Sequence, residues 1–170
     1  MKPVVSVLIP PYNAEDFIGQ AIESVLGQTY QGFEVIIVDD GSTERTRDRV
    51  RKFRDTRIHL IAHEQNKGIC EARNTGMAAA QGHWIAPMDA DDVWYKERLS
   101  KLLEVARDRK DVFVGSDLML CFSGDRNELI PWRTLFDVRG IRARGHHRVT
   151  LADLVRYGLS VLPMFPSDIV

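Results

Sequence analysis

Trp84-Ile85-Ala86-Pro87-Met88-Asp89-Ala90-Asp91-Asp92 runs from an apolar segment directly into a cluster of acids. A short apolar run bounded by turn residues reads as a buried strand. In an open α/β sheet, ligands gather beyond the carboxyl ends of the strands. The carboxylates therefore fall where such a sheet presents its ligands. The tripeptide decides nothing alone, because fifteen aspartates in 170 residues make about one Asp-X-Asp by chance. The surrounding elements carry the inference.

Upstream, residues 4–9 are an apolar, β-branched strand stopped by Pro10-Pro11. Phe17, Ile18, Ala21, Ile22, Val25 and Leu26 recur at helical spacing and predict a helix over residues 14–27, with Glu15 and Asp16 favouring the dipole in its first turn. Residues 33–38 form a second strand. Asp39-Asp40-Gly41-Ser42-Thr43 then turns the chain, with Ser42 or Thr43 capping a charged helix that ends near Arg54. A third strand spans 58–62. Asn66-Lys67-Gly68 turns into a helix over 69–80, where Ala72, Ala78, Ala79 and Ala80 favour helix and close packing. Downstream, a helix over 95–107 buries Leu99, Leu102, Leu103 and Ala106, and residues 112–114 and 118–122 are strand-like. Periodicity then fades over 123–148, before a short amphipathic segment at Leu151, Leu154 and Val155 and an apolar run over 159–165. The alternation of strand and helix implies an α/β fold with a mostly parallel central sheet. We divide the chain into a core over 1–122 and a further region over 123–170.

A chain of 170 residues fits one domain that buries roughly 70% of its unfolded surface. With 44% hydrophobic and 28% charged residues and no apolar run near the ~20 residues of a membrane span, no transmembrane segment is expected. Residues 4–9 are too short for a signal peptide, so the expected compartment is the cytoplasm. A net charge of −1 excludes global attraction to nucleic acid or anionic lipid. Cys70 and Cys121 read as two reduced core thiols. His59, His63 and His83 lack metal-ligand spacing and read as packing or surface residues, as do Trp84 and Trp94.

Four polar clusters follow four strands: Tyr12-Asn13, Asp39-Asp40, residues 66–73, and Asp89 to Asp92. In an extended segment Asp89 and Asp91 face the same way, with small Ala90 between them and Asp92 turned aside. Such carboxylates attract Mg²⁺ or Mn²⁺, ions that keep positions open for phosphate oxygens. Tyr12 offers a stacking face for a base or simply packs in the turn. Of Asp39 and Asp40, one braces the turn and the other faces a ligand, and Asp40 can accept from a base imide. Arg73 pairs with a phosphate or base, or with neighbouring Glu71 at the surface. Arg139, Arg142, Arg144, His146, His147 and Arg148 form either an anion site or a solvated loop.

Residues 5–13 (Val-Ser-Val-Leu-Ile-Pro-Pro-Tyr-Asn), 24–30 (Ser-Val-Leu-Gly-Gln-Thr-Tyr), 38–43, 66–76 and 89–94 follow an order that resembles the inverting family 2 glycosyltransferases, over roughly residues 4–110. The resemblance implies a three-layer GT-A type (Rossmann-like) sandwich. It implies a nucleotide-sugar donor, most often a UDP-sugar, and a saccharide or lipid-linked acceptor, with work in cell-envelope polysaccharide synthesis at the inner face of the membrane by peripheral association. The implied donor site is Pro10, Tyr12, Asn13, Asp40, Arg73, Asp89, Ala90 and Asp91. Within it Tyr12 and Asp40 meet the base, Arg73 helps hold the nucleotide, Asp89 lies near the ribose or sugar, and a divalent Mn²⁺ or Mg²⁺ bridges the diphosphate to Asp91, beside Asp89.

Relatives place an Asp base in a Glu-Asp pair well past the Asp-X-Asp motif, and no such pair follows Asp92 here. The chain therefore reads as a donor-binding core over 1–122 with the truncated start of an acceptor-side region over 123–170, its base expected beyond Val170, and Asp153 and Asp168 read as surface or capping residues. Pro11 and Lys96 are lesser departures from the family pattern. Among rival readings, a haloacid dehalogenase type phosphatase shares Asp-X-Asp-X-Val at Asp89 to Val93 but needs it after the first strand. A nucleotidyltransferase or nicotinamide enzyme needs a Gly-rich loop that Pro10-Pro11-Tyr12-Asn13 does not supply. The remaining alternative is a non-catalytic nucleotide-sugar-binding module.

Overall fold

Alternation along the first strand sorts the core into two layers. The computed structural model describes residues 2–106 and, beyond them, the backbone of Leu118–Cys121, Asn127–Ile130 and Phe165–Pro166. From β1 (Val5–Ile9), Val5, Val7 and Ile9 join Val35 and Ile37 of β2 (Phe33–Asp39) on one face. Leu8, Ile36 and Val38 point to the other.

The first face is covered by Ile18, Ala21, Ile22 and Val25 of α1 (Ile18–Leu26), Val50 of α2 (Thr46–Arg51), and Leu99, Leu102 and Ala106 of α4 (Arg98–Ala106). Each fully buried Val, Leu or Ile side chain there contributes roughly 1.5–3 kcal/mol relative to exposure. The opposite face takes α3 (Ile69–Ala79) through Ala72 and Met77. Gly76 lets α3 sit this close, since a Cβ there would collide with Leu8. Helix, sheet and helix make the expected three layers.

The main sheet has the order β3-β2-β1-β4-β7, where β3 is Ile58–Ala62, β4 is Trp84–Pro87 and β7 is Phe165–Pro166. The β1–β2, β2–β3 and β1–β4 pairs are parallel, and β7 joins β4 antiparallel. After building outward from β1 to β3, the chain returns through α3 to place β4 on the other side of β1. That reversal opens a crevice beyond the carboxyl ends of the strands. Leu118–Cys121 (β5) and Asn127–Ile130 (β6) form a separate antiparallel pair.

Several elements differ from the expectations. The first helix begins at Ile18, because residues 15–17 form a turn in which Phe17 N and Ile18 N donate to Ala14 O. Phe17 is consequently exposed and leaves the buried stripe. The second helix has no side-chain cap, since Ser42 and Thr43 bond across to Asn13 instead. In α3 only Ala72 and Gly76 are buried, while Ala78 and Ala79 face solvent. The fourth helix begins at Arg98. β6 falls within the stretch that showed no periodicity, its four residues being too few to display an alternation. Cys70 is free but exposed on α3, so it is no core residue, and only the backbone of Cys121 is described. Residues 112–114, the segment at Leu151 to Val155, the Arg139 to Arg148 cluster, Asp153 and Asp168 lie outside the described residues. Among the described residues no helix is long and apolar enough to cross a membrane.

Candidate functional site

Four loops, one after each of β1 to β4, meet at the same end of the sheet and enclose a cavity of about 420 Å³. That volume lies within the range of small-molecule sites. Pro10, Tyr12, Asn13, Asp40, Asn66, Asp89, Ala90 and Asp91 line it, together with Ala14, Phe17 and Ile69. Of the residues proposed from sequence, Arg73 alone is not in the lining.

The first two loops are bolted together. Asn13 adopts a left-handed backbone at φ 49°. Its N–H donates to Ser42 Oγ at 2.9 Å, and its Oδ1 accepts from Thr43 N at 2.9 Å. Ala14 N donates to Thr46 Oγ1 at 2.9 Å, and Glu15 Oε2 accepts from Arg45 N at 3.0 Å and Arg45 Nε at 3.1 Å. Glu15 thus serves this joint rather than a helix dipole. The joint leaves Tyr12 (47% exposed), Phe17 (54%) and, from α3, Ile69 (49%) open at the cavity.

The two adjacent acids after β2 divide their tasks. Asp39, fully buried, braces the turn: its Oδ2 accepts from Ser42 N at 3.1 Å and from Arg47 Nε at 2.5 Å. Asp40 reaches the cavity wall, and its carboxylate also holds the start of α3. Oδ1 accepts from His63 Nδ1 at 2.7 Å and Lys67 N at 3.0 Å, and Oδ2 accepts from Gly68 N at 2.8 Å. Burial alone would raise this carboxyl, but donation by Lys67 N, His63 and Gly68 N outweighs it and holds Asp40 below its ordinary value. Gly41, at φ 75°, permits the close approach of the two loops, because a Cβ there would strike the backbone at Gln65.

At the other end of the cavity the chain is not extended as expected. Asp92 N donates to Asp89 O at 3.1 Å, so residues 89–92 form a closed turn. Asp89 and Asp91 nevertheless both line the cavity, and Asp92 does not. Asp89 Oδ1 accepts from Arg73 Nη2 at 3.0 Å, so Arg73 pairs with an acid of the site and not with Glu71. Asp91 is exposed and makes no hydrogen bond or ion pair with the described residues. Burial, and then the charges of Asp89 and Asp91, push the Asp92 carboxyl up against the pull of Arg98.

Ser24, Gln28 and Thr29 clamp the segment that follows this turn. Ser24 Oγ accepts from Trp94 N at 3.1 Å. The Gln28 amide donates to Tyr95 O at 2.8 Å and accepts from Leu99 N at 3.0 Å, and Thr29 N donates to Lys96 O at 2.8 Å. Trp94 packs in the core below.

The donor set suits a hard divalent cation that shares its ligands with a substrate. Among the described residues no three His, Cys, Asp or Glu side chains gather into a cage. An exposed carboxylate in the cavity lining, unpaired among the described residues and with a second beside it, instead matches the way Mg²⁺ and Mn²⁺ combine one or two carboxylates with phosphate oxygens.

The residue that sequence reasoning passed over is His63, which pairs with Asp40 although it has no metal-ligand spacing. The register carried a signal: Asp39 lies opposite Ala62 in the parallel β2–β3 pair, so the next residues, Asp40 and His63, emerge side by side. His59 and His83 are exposed, as expected of surface residues.

A family model described as glycosyl transferase family 2 matches residues 6–150. TuaG of Bacillus subtilis (strain 168), provisionally named a teichuronic acid biosynthesis glycosyltransferase, is 45% identical over 122 residues, which cover 69% of this chain and 48% of TuaG. The chain thus spans about half the length of that relative. Among solved structures, Staphylococcus aureus TarS (residues 1–349) in complex with UDP-GlcNAc superposes with a TM-score of 0.75 at 26% identity, covering 99% of this chain and 46% of that one. The mannosyltransferase PcManGT from Pyrobaculum calidifontis, in complex with GDP-Man and Mn²⁺, gives a TM-score of 0.63 at 27% identity, covering 68% of this chain and 36% of its own.

Proposed function

This chain belongs to glycosyl transferase family 2, with a GT-A type fold, and from that premise we propose that it forms the donor-binding part of an inverting, metal-dependent enzyme. Such an enzyme moves a sugar from a nucleoside-diphosphate sugar, a UDP-sugar in our reading, to an acceptor hydroxyl on a saccharide or lipid-linked saccharide. The setting we propose is cell-envelope polysaccharide synthesis at the cytoplasmic face of the membrane. The observation that carries the reading is the asymmetric cavity, with aromatic and apolar faces beside Asp40 at one end and, at the other, Asp91, a carboxylate unpaired among the described residues.

In this reading the base lies against Tyr12, between the walls made by Pro10, Asn13 and Asp40. Ala90 gives the backbone room beside the sugar diphosphate, Asp91 holds the metal and Asp89 stands beside it. Arg73 acts by fixing Asp89. A bound Mn²⁺ or Mg²⁺ would neutralise the diphosphate and stabilise the leaving nucleoside diphosphate. The binding of UDP-GlcNAc by TarS and of GDP-Man with Mn²⁺ by PcManGT supports a nucleotide-sugar and a metal here.

A second reading, binding without transfer, has its own support. Asp40 and Asp89 are engaged by protein partners and Asp91 is given to the metal, so among the described residues no carboxylate lining the cavity is left to deprotonate an acceptor. We assign the base to none of the described residues, and we keep the division between 1–122 and 123–170 as part of the proposal.

Thermal unfolding with UDP, GDP and dTDP, each with Mn²⁺, Mg²⁺ or chelator, tests the site. Ligand at 100 times its dissociation constant adds about 2.7 kcal/mol, a shift of several degrees. A metal-dependent shift with one nucleotide is expected, and none with any would remove the reading. Sugar transfer by the same protein then separates enzyme from binding module.

A further inference from the structure

His63 is a buried polar side chain at the cavity wall that the reading above leaves without a task. It is 7% exposed, and both ring nitrogens are engaged. Nδ1 lies 2.7 Å from Asp40 Oδ1 and Nε2 lies 3.0 Å from Thr75 Oγ1, one helical turn and a half into α3. An ionised carboxylate can only accept, so Nδ1 carries the proton and, in the neutral ring, Nε2 accepts from the Thr75 hydroxyl. Lys67 N and Gly68 N complete the set of donors to Asp40. A carboxylate has about four acceptor directions, and the protein fills all but one of them. The direction left belongs to Oδ2, on a residue that lines the cavity.

We propose that His63, itself held by Thr75, is a positioning residue for base selection. It fixes the Asp40 carboxylate so that the remaining acceptor direction favours a base edge bearing a ring N–H, as in uracil or guanine, over cytosine, whose ring N3 is itself an acceptor. The proposal rests on the donor-site reading and deepens it. Glu34 supplies the contrast. It too is buried and accepts from several donors, Ser6 Oγ at 2.6 Å, Gln81 N at 2.7 Å and Gly82 N at 3.2 Å, but it is not among the described residues that line this cavity. A merely structural His63 would behave likewise, and its loss would weaken all nucleotides equally.

The test is calorimetric titration of UDP, GDP and CDP, each with Mn²⁺, into wild type, His63→Ala, His63→Asn, Thr75→Val and, as a control, exposed His59→Ala. Wild type is expected to prefer UDP or GDP to CDP. His63→Ala should cut that preference about tenfold, as befits a hydrogen bond to a charged group, with CDP affinity nearly unchanged. His63→Asn, whose amide N–H can replace Nδ1–H, should restore most of it, Thr75→Val should lose part of it, and His59→Ala should keep it. Equal weakening of all nucleotides, an unchanged preference in both His63→Ala and Thr75→Val, or no preference in wild type would overturn the proposal. If His63→Ala does not fold, Thr75→Val decides, because it removes the hydroxyl and keeps the shape. Failure of wild type to bind UDP or GDP would instead remove the donor-site reading, and this proposal with it.

Discussion

Asp40 and Asp91 are both acids in loops after parallel strands, and both line one cavity, yet the protein treats them oppositely. Asp40 is 2% exposed and takes hydrogen bonds from His63, Lys67 and Gly68. Asp91 is exposed and takes none from the described residues. A carboxylate that the fold has nearly saturated is part of the scaffold and offers a ligand one fixed direction. A carboxylate left open has its coordination to give. Removing the first should therefore cost stability and binding together, and removing the second should cost binding alone.

The largest effect is expected from Asp91→Ala. Metal-dependent UDP affinity should fall roughly 100-fold, in line with the several kcal/mol a metal supplies at phosphate oxygens, while the melting temperature stays within error. Calorimetry beside a thermal melt checks both halves, and a large loss of stability would break the contrast. Asp40→Asn comes next. Its amide turns a donor toward Lys67 N or Gly68 N, and denaturant unfolding should register a loss of about 2 kcal/mol.

Acid should reproduce that loss in the wild type. Because Asp40 is held below its ordinary value, the native state binds fewer protons there than the unfolded chain. Its contribution is full above the ordinary carboxylate range, near ~4, and fades as pH falls through the lowered value. The gap in melting temperature between wild type and Asp40→Asn should thus narrow below about pH 4. A gap that stays constant to pH 2 would detach the lowered carboxyl from its donors. The smallest effect is expected from Arg73→Ala. The Arg73 and Asp89 side chains are 24% and 36% exposed, so screening should leave a stability loss of about 1 kcal/mol or less in urea.

The same contrast explains what could be read from sequence. Strand and helix alternation is a local pattern, so the three layers and the meeting of four strand ends followed from the apolar periods of residues 4–106. The acids at 39–40 and 89–92 were visible for the same reason. Their partners were not, because pairing depends on which helix crosses which strand. Arg73 meets Asp89 only because α3 runs beside β4's loop, whereas sequence proximity pointed to Glu71. Ser42 and Thr43 have the chemistry of helix caps, but the neighbouring loop offered Asn13 first. His63 was passed over because its role depends on register, not on spacing. Residues 24–30, recognisable as a motif, gave no hint that Gln28 holds Tyr95 and Leu99, in the segment that follows the acid turn.

Electron paramagnetic resonance of Mn²⁺ tests the central claim most directly, since it counts free aqueous ion. With UDP present, adding wild-type protein should remove free Mn²⁺ signal beyond what UDP alone removes, and adding Asp91→Ala should not. Equal loss of signal with both proteins, or no further loss with wild type, would contradict the assignment of Asp91 as the residue through which this cavity holds a metal-bound diphosphate.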